Sequence, residues 1–576
     1  LGLRNLSLLE DIQKNIEQIH GKNIRLHDIP FDDQKTFALL SSGDTTGIFQ
    51  LESQGMRNVL KRLKPSEFED IVAVNALYRP GPMEQIPTYI DAKHGRKNVT
   101  YPHPDLAPIL KKTYGVIVYQ EQIMQIASTM AGFSLGEADL LRRAVSKKKR
   151  DILEKERAHF IAGCLKKGYS EQTAHTVYQL LVRFADYGFN RSHAVAYSMI
   201  AYQLAYLKAN YPLEFFAALL SSVIGNDHKL ASYVTELKKR QIKVLPPSIN
   251  DSDMTFTVHR DGIRFGLSSI KHIGIQALQE LIDKRKTSGR YRSLFDVCQR
   301  VSLKIVNKRA LESLILAGAC DEFGIHRASL LATLDEAVEF GEKRQRDRDQ
   351  IAFFHSDTFD EPAYVDVPPF TEREKLSFEK EAVGFYVSGH PIEQHNTIRR
   401  KLSLHRVIDL NAKRNQQLKT AVFLEEVRTI KTKKGERMAF LKVSDDTGEI
   451  EVIVFPNLYK RVGHDLQKDL FLLIAGHVEE KDQSVKLIAE TITRLDEGQT
   501  DEKKLFLKID KHHHHPKTLA LIKAILAKYP GEVDVVLYYE EEKQLRNLSR
   551  QFSVSGSDDC LRELADLLGK TNLMLK

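Results

Sequence analysis

Apolar residues recur at helical spacing through residues 1–220. Tyr197, Ile200, Leu204 and Leu207 repeat along one helix face, with Ser192 in the expected N-terminal cap region. The Arg79-Pro80-Gly81-Pro82 stretch breaks the helical pattern. The period changes near 246–262. Pro246-Pro247 is followed by alternating Phe256-Thr257-Val258 and by Ile263-Arg264-Phe265-Gly266, which predicts a short hairpin. Compact helices follow to about 343. Residues 341–372 are charged, then carry Phe353-Phe354, then Pro362, Pro368 and Pro369, and read as a linker. From 419 to 495 the period is two. Ala439–Val443 and Glu451–Phe455 alternate, with Gly435 and Gly448 at turns, which predicts a small β-barrel. The remainder, 503–576, mixes strands at Leu505–Ile509 and Val533–Tyr538 with a helix at Lys517–Lys528, a small α/β or α+β tail. No repeat at solenoid periods is present.

Length then fixes the scale. At roughly 100–200 residues per domain, 576 residues make about three to five domains. Hydrophobic residues are 42% and charged residues 28%, and no apolar run approaches the ~20 residues of a membrane helix. The first residue is Leu1 and the opening is no signal peptide, so the start is expected to be cut from a longer chain. Net charge is +8, a weak pointer to a polyanionic partner. Cys164, Cys298, Cys320 and Cys560 are too scattered for a zinc site, and a disulfide framework is not expected at this size. A cytoplasmic location without a membrane partner is expected.

Several segments offer chemistry. Leu141–Arg150 is the densest basic run, and Arg143, Lys147 and Arg150 share a helix face suited to phosphates. A solvated helix face explains the same run. Asn190–Tyr197 opens a long helix, where free amides favour anions and Tyr197 offers a stacking face. A capped helix with a satisfied histidine is the plainer reading. Gly266–Gly274 fits the turn of a helix-hairpin-helix, whose amides approach a DNA phosphate, except that His272 stands where a glycine is usual. A purely structural helix pair fits equally. Gln350-Ile351-Ala352-Phe353-Phe354 suits a peptide docking in a groove, or a local packing anchor. Lys431–Arg437 is a basic loop between strands, with Phe440, Phe455 and Tyr459 nearby, a pattern for single-stranded nucleic acid. For Phe455 a core position is favoured. His512–His515 is expected to be an exposed loop rather than a metal site. Gly569-Lys570-Thr571 lacks the first glycine of a phosphate loop, since position 564 is Leu564. Asp32-Asp33 has no third carboxylate in view, so a two-metal site is not expected in these residues.

Collinear segments resemble one family. They are Gly47–Ser53, Tyr78–Met83, Tyr114–Gln122, Arg142–Lys149 and Phe189–Tyr197, and the family is the alpha subunit of bacterial DNA polymerase III. The resemblance implies a multidomain fold of mainly helical fingers and a helix-hairpin-helix domain, followed by an OB-fold β-barrel and a small α/β C-terminal domain. It divides the chain into the end of a palm (1–24), fingers (25–230), a clamp-associated domain with the hairpin (231–345), a linker with a clamp-binding peptide (346–372), a connector (373–418), the OB-fold (419–495) and a C-terminal domain (503–576). It implies template-directed nucleotidyl transfer with Mg²⁺ held by aspartates, all upstream of Leu1, so that these residues alone are expected to be inactive. By resemblance Arg142, Arg143 and Lys147 face a deoxynucleoside triphosphate, and Asn190, Ser192, His193 and Tyr197 shape its pocket. Lys271 and Gly274, with Lys433, Lys434 and Arg437, are the expected contacts to primer-template and single-stranded template DNA. Gln350, Ile351, Phe353 and Phe354 are the expected sliding-clamp peptide, and the C-terminal domain is a candidate contact for the clamp loader. The other reading is a non-catalytic DNA-binding and clamp-tethering module. A repair factor combining hairpin and barrel domains leaves the fingers-like segments unexplained.

Overall fold

A computed structural model describes residues 2–146, 150–185, 188–350, 361–410, 416–432, 434–481, 484–495, 505–511, 513–540, 542, 544–548 and 552–575. They form two compact units, Leu1–Ser388 and Gly389–Lys576.

The first unit is helical, as expected. Its centre is the Arg191–Asn210 helix, which buries Ala194, Ser198, Ala201, Tyr202, Leu204, Ala205, Leu207 and Lys208. These positions cover more than one stripe, so the helix is enclosed rather than laid on a surface. It packs against the Gln34–Ser42 and Phe68–Leu77 helices. Tyr202 satisfies its hydroxyl by donating to Pro30 O (2.8 Å) and accepting from Asp33 N (3.2 Å). Lys208 is fully buried and donates to Asp44 O (3.0 Å), Asp44 Oδ1 (3.0 Å) and Thr46 O (2.9 Å). The Gly2–His20 helix contributes Leu8, Leu9, Ile12 and Ile16 to the same core.

A second, smaller core lies among the Gln120–Ala131, Leu135–Ser146, Arg150–Lys166 and Glu171–Ala185 helices, with Leu141, Phe160, Cys164 and Leu181 at its centre. Gly163 is required there, because a Cβ would lie 2.3 Å from Ala131 O across the helix contact.

The expected hairpin is present as β2 (Thr257–His259) and β3 (Gly262–Arg264), and β1 (Val244–Leu245) adds to β3 in parallel. The linker reading needs correction at both ends. The Leu334–Gln350 helix runs past the expected start of the linker, and Gln345 donates to Cys298 O (3.0 Å) and Val301 O (2.7 Å). Beyond it, Ser293 Oγ donates to Glu361 (2.7 Å), Leu294 N to Tyr364 Oη (3.1 Å), and Val365 N to Thr333 Oγ1 (2.9 Å). Charge and proline content imitated a linker where polar side chains make a docked surface.

The second unit begins with short helical turns at Pro391–His395, Asn396–Lys401 and Val407–Leu410, followed by a closed barrel of strand order β4-β5-β6-β8-β7. Its strands are β4 (Gln417–Lys431), β5 (Arg437–Asp445), β6 (Gly448–Val454), β7 (Phe471–Lys481) and β8 (Ser484–Arg494), with a Pro456–Val462 helix between β6 and β7. β4 pairs with β7 through its first half and with β5 through its second, turning at a bulge between Leu424 and Glu426. The tail is a second sheet of order β12-β11-β9-β13, where β9 is Leu505–Ile509, β11 Val535–Tyr539, β12 Gln544–Asn547 and β13 Leu573–Leu575. A short strand β10 (Pro530–Val533) precedes β11. The Pro516–Lys528 and Asp558–Leu568 helices cover one face through Ile522, Leu526, Leu564 and Leu568.

Candidate nucleotide and nucleic-acid interface

The site in the first unit is assembled around Gln120. Its amide donates to Phe189 O (2.9 Å) while Phe189 N donates to Val118 O (3.0 Å), a short β-bridge. Its side-chain oxygen accepts from Arg142 Nη1 (3.2 Å). Two segments distant in sequence are thereby joined: the basic helix and the start of the Arg191–Asn210 helix.

That helix is capped by Asn190, not by Ser192. Asn190 Oδ1 accepts from His193 N (2.9 Å) and from Ser192 Oγ (2.6 Å). Arg191 N donates to both carboxylate oxygens of Glu121 (3.0 Å each), and Arg191 Nη2 to Glu69 (2.5 Å). Two first-turn amides, those of Arg191 and His193, are therefore engaged within the chain. What the helix offers instead is a ladder of rings. Phe49 lies 5.2 Å from Tyr197, Tyr197 4.2 Å from His193, and His193 5.5 Å from Phe189, centroid to centroid. The Arg79 guanidinium caps it, 4.3 Å over Phe189.

Arg142 and Arg143 share one counter-ion. Asp139 Oδ1 takes Arg142 Nη2 at 2.8 Å and Asp139 Oδ2 takes Arg143 Nε at 2.8 Å. The hydrogen bond from Arg142, opposed by slight burial and helped by both arginine charges, holds the Asp139 carboxyl below its ordinary range. Arg143 is exposed, and Arg142 is half-buried against Gln120. Lys147 lies outside the described residues. Phe49, Phe189, Arg79, Gln120 and Asp139 were not singled out from sequence. The spacing of Phe189, His193 and Tyr197, four residues apart each time, was the available signal.

At the hairpin, the first helix is reduced to a single turn, Leu267–Ser269, before the Ile275–Ser288 helix. Lys271 is half-exposed; its ammonium pairs with Asp227 at 2.9 Å and its amide donates to Ala382 O (2.8 Å). Gly274 caps the following helix and is exposed.

On the barrel, exposed Lys434 lies in the loop between β4 and β5, which turns at Gly435 (φ +82°), and exposed Arg437 begins β5 opposite Lys431. Lys433 lies outside the described residues. Phe455 is 48% exposed rather than in the core, because β6 ends at Val454 and Phe455 begins the next helix, where strand alternation no longer applies. Phe440 faces outward between Arg428 (5.2 Å) and Lys486 (5.8 Å). It lines a groove of about 330 Å³ with Arg428, Lys442, Glu426, Glu449 and Glu451.

Comparison with known proteins gives this geometry a family. A model described as "Bacterial DNA polymerase III alpha subunit finger domain" matches residues 5–168, a helix-hairpin-helix motif matches 241–330, and an OB-fold nucleic acid binding domain matches 426–495. The chain is 50% identical over its whole length to the DNA polymerase III subunit alpha of Bacillus subtilis, covering 52% of that protein. It is 47% identical to the Halalkalibacterium halodurans subunit, covering 51% of it, and over 98% of its own length 40% identical to a Staphylococcus aureus subunit, again 51%. The chain belongs to the bacterial DNA polymerase III alpha subunit family. It spans about half the length of the curated relatives it matches.

Within that family frame, the remaining expectations divide. Gln350 ends a helix, while Ile351, Phe353 and Phe354 lie outside the described residues. So does His512. His513 Nδ1 meets Asp510 Oδ1 at 2.7 Å, and the His514 ring lies 5.1 Å from Tyr539. Asp33 is occupied as a helix cap, accepting from Thr36 N (2.8 Å) and Thr36 Oγ1 (2.6 Å). Among the described residues no group of three or more His, Cys, Asp or Glu side chains could hold a metal ion. No helix is long and apolar enough to cross a membrane.

Proposed function

We propose that this chain provides the nucleotide-gripping and DNA-holding parts of a cytoplasmic replicative DNA polymerase. The observation that carries the reading is the double use of Gln120, which joins Arg142, paired through Asp139 with Arg143, to the segment that begins the ladder of rings. Arginines suit a triphosphate, through charge-assisted hydrogen bonds, and rings suit a base and sugar. In this reading a deoxynucleoside triphosphate displaces Asp139 from Arg142 and Arg143, with Lys147 as a third cation, while His193 and Tyr197 bound the base and sugar and Asn190 with Ser192 hold the helix start in place.

The hairpin holds the duplex of the primer-template, and the barrel takes single-stranded template along Lys433, Lys434 and Arg437, with bases against outward rings. Gln350, Ile351, Phe353 and Phe354 dock in a sliding clamp, and residues 503–576 face a clamp loader. Primer extension with Mg²⁺ is not expected from these residues alone, and measurable extension by the chain would overturn this.

The deciding experiment is titration of the 576-residue chain with a fluorescent deoxynucleoside triphosphate. Changing Arg142→Ala together with Arg143→Ala should weaken binding about tenfold or more, since two charge-assisted contacts are lost. Unchanged affinity would remove these arginines from the site.

A further inference from the structure

Phe49 reaches the ring ladder from a segment without regular structure. Residues 43–51 follow the Gln34–Ser42 helix and are neither helix nor strand. Ile48 N donates to Thr45 O (3.1 Å), Leu51 N to Ile48 O (3.0 Å) and Thr45 Oγ1 to Leu51 O (2.5 Å). These bonds make the segment compact but attach it to nothing else. Gly47 lets it lie close against a neighbouring helix: its φ is +75°, and a Cβ there would come 2.5 Å from Leu219 Cδ2.

The polar attachment comes from Lys208. Its side chain is fully buried, and its ammonium donates to Asp44 O (3.0 Å), Asp44 Oδ1 (3.0 Å) and Thr46 O (2.9 Å). An ammonium carries three donors on one atom, so it can satisfy all three acceptors at once. An apolar side chain of similar length would fill the space and leave two backbone carbonyls unpaired. Arg57 adds a further tie, Nη2 donating to Thr46 Oγ1 (2.9 Å) and Nε to Glu52 O (2.9 Å).

Lys208 stands on the same Arg191–Asn210 helix as His193 and Tyr197. Tyr197 and Lys208 are eleven residues apart in sequence. In a helix that separates them by about 16 Å along the axis. The segment therefore meets one helix at two distant points. Phe49 meets Tyr197 with 5.2 Å between ring centroids, and Asp44 with Thr46 meets Lys208. A single contact would leave the segment free to pivot, whereas two contacts set where the Phe49 ring stands.

We propose that Lys208 is a positioning residue of the nucleotide site: by holding the Asp44 and Thr46 carbonyls it sets Phe49 against Tyr197, and so fixes the ring face offered to a deoxynucleoside triphosphate. Lys208 itself is buried and touches no substrate. The inference rests on the reading of the ring ladder as the face for base and sugar.

The sequence contains no tryptophan, so Phe49→Trp gives the segment a fluorescence signal of its own. In that background, Lys208→Met should shift the tryptophan emission to the red and raise its quenching by acrylamide. It should also weaken binding of a fluorescent deoxynucleoside triphosphate by about threefold to tenfold, as a displaced positioning group does. Lys208→Gln keeps two donors on a shorter stem and should fall between the parent and the methionine variant in both readouts. It also carries the test if the methionine variant does not fold. Arg327→Met is the control for stability alone. It removes a buried arginine of the same unit that donates to Leu316 O (3.1 Å) and Asp321 Oδ2 (2.6 Å), and should leave both readouts unchanged. If the folded Lys208 variants keep the parent emission or the parent affinity, or if Arg327→Met changes both readouts equally, Lys208 does not position the site and the proposal is wrong, although the nucleotide reading stands. If the Phe49→Trp chain and the parent chain both fail to bind the nucleotide, that reading fails and takes the proposal with it.

Discussion

At the scale of single residues, the first unit depends on polar groups placed where water is absent. Lys208 is the clearest. Burial pushes its ammonium down to about 7, against the pull of Glu236 and Glu52 and with Arg57 adding to the fall. A lysine in an unfolded chain titrates near ~10.4. Between those two values the unfolded chain binds a proton that the folded chain does not, so stability from this group rises with pH across that window. Urea midpoints measured at two pH values inside the window should show this slope in the parent chain and its loss in Lys208→Met. The substitution should also cost about 2–4 kcal/mol at the upper pH, because Asp44 O and Thr46 O lose their donor. Asp44 keeps Arg240, so that carboxylate does not become an isolated charge. None of this was legible in sequence: Lys208 sits in an otherwise apolar helix, where a lysine most often faces solvent. Asn190, by contrast, was readable as part of a cap region, and the choice between it and Ser192 turned on one backbone conformation.

At the scale of elements, period was the dependable signal. Strands β6 and β7 alternate between buried and more exposed residues because one face of each lies on a closed core, and the expected limits of 419–495 differ from the observed ones by only a few residues. The hairpin of β2 and β3 was legible for the same reason. What failed was composition used as a proxy for disorder. The Leu334–Gln350 helix is highly charged yet anchored by Gln345 and by Gly341, which lies hard against the Cys298 backbone. Phe455 failed at a boundary, where one residue past the end of β6 the alternation reverses its meaning. The loop between β4 and β5 carries the element-scale prediction. Replacing Lys433 and Lys434 by neutral residues should reduce the slope of log affinity against log salt for single-stranded DNA by about 1.4, since each phosphate contact on a single strand contributes about 0.7. An unchanged slope in a salt titration would place the strand elsewhere on the barrel.

At the scale of the whole molecule, the cores are separate. The first unit keeps its two cores within residues 1–388, and the barrel and the tail sheet each keep their own. The last residues of the first unit are held by it: Val387 N and Ser388 N both donate to the buried carboxylate of Glu379 at 2.9 Å. Residues 1–388 and 389–576, produced separately, should each fold and unfold through sigmoidal steps in a denaturant titration followed by circular dichroism. Absence of any folded baseline in either would show that its cores are incomplete on their own. The family was legible from collinear motifs, and the barrel and helical unit from periodicity. The ring ladder was only half legible, because Phe49 and Arg79 reach it through tertiary packing that no local pattern encodes.

The docked ends of the supposed linker set a limit on reach. Gln345 fixes the helix that ends at Gln350, and Ser293 fixes Glu361. Gln350 and Glu361 lie eleven residues apart in sequence. At roughly 3.6 Å per residue, chain length alone keeps every residue between them within about 20 Å of one end or the other. A partner that seizes Phe353 and Phe354 must therefore come close to the hairpin domain itself.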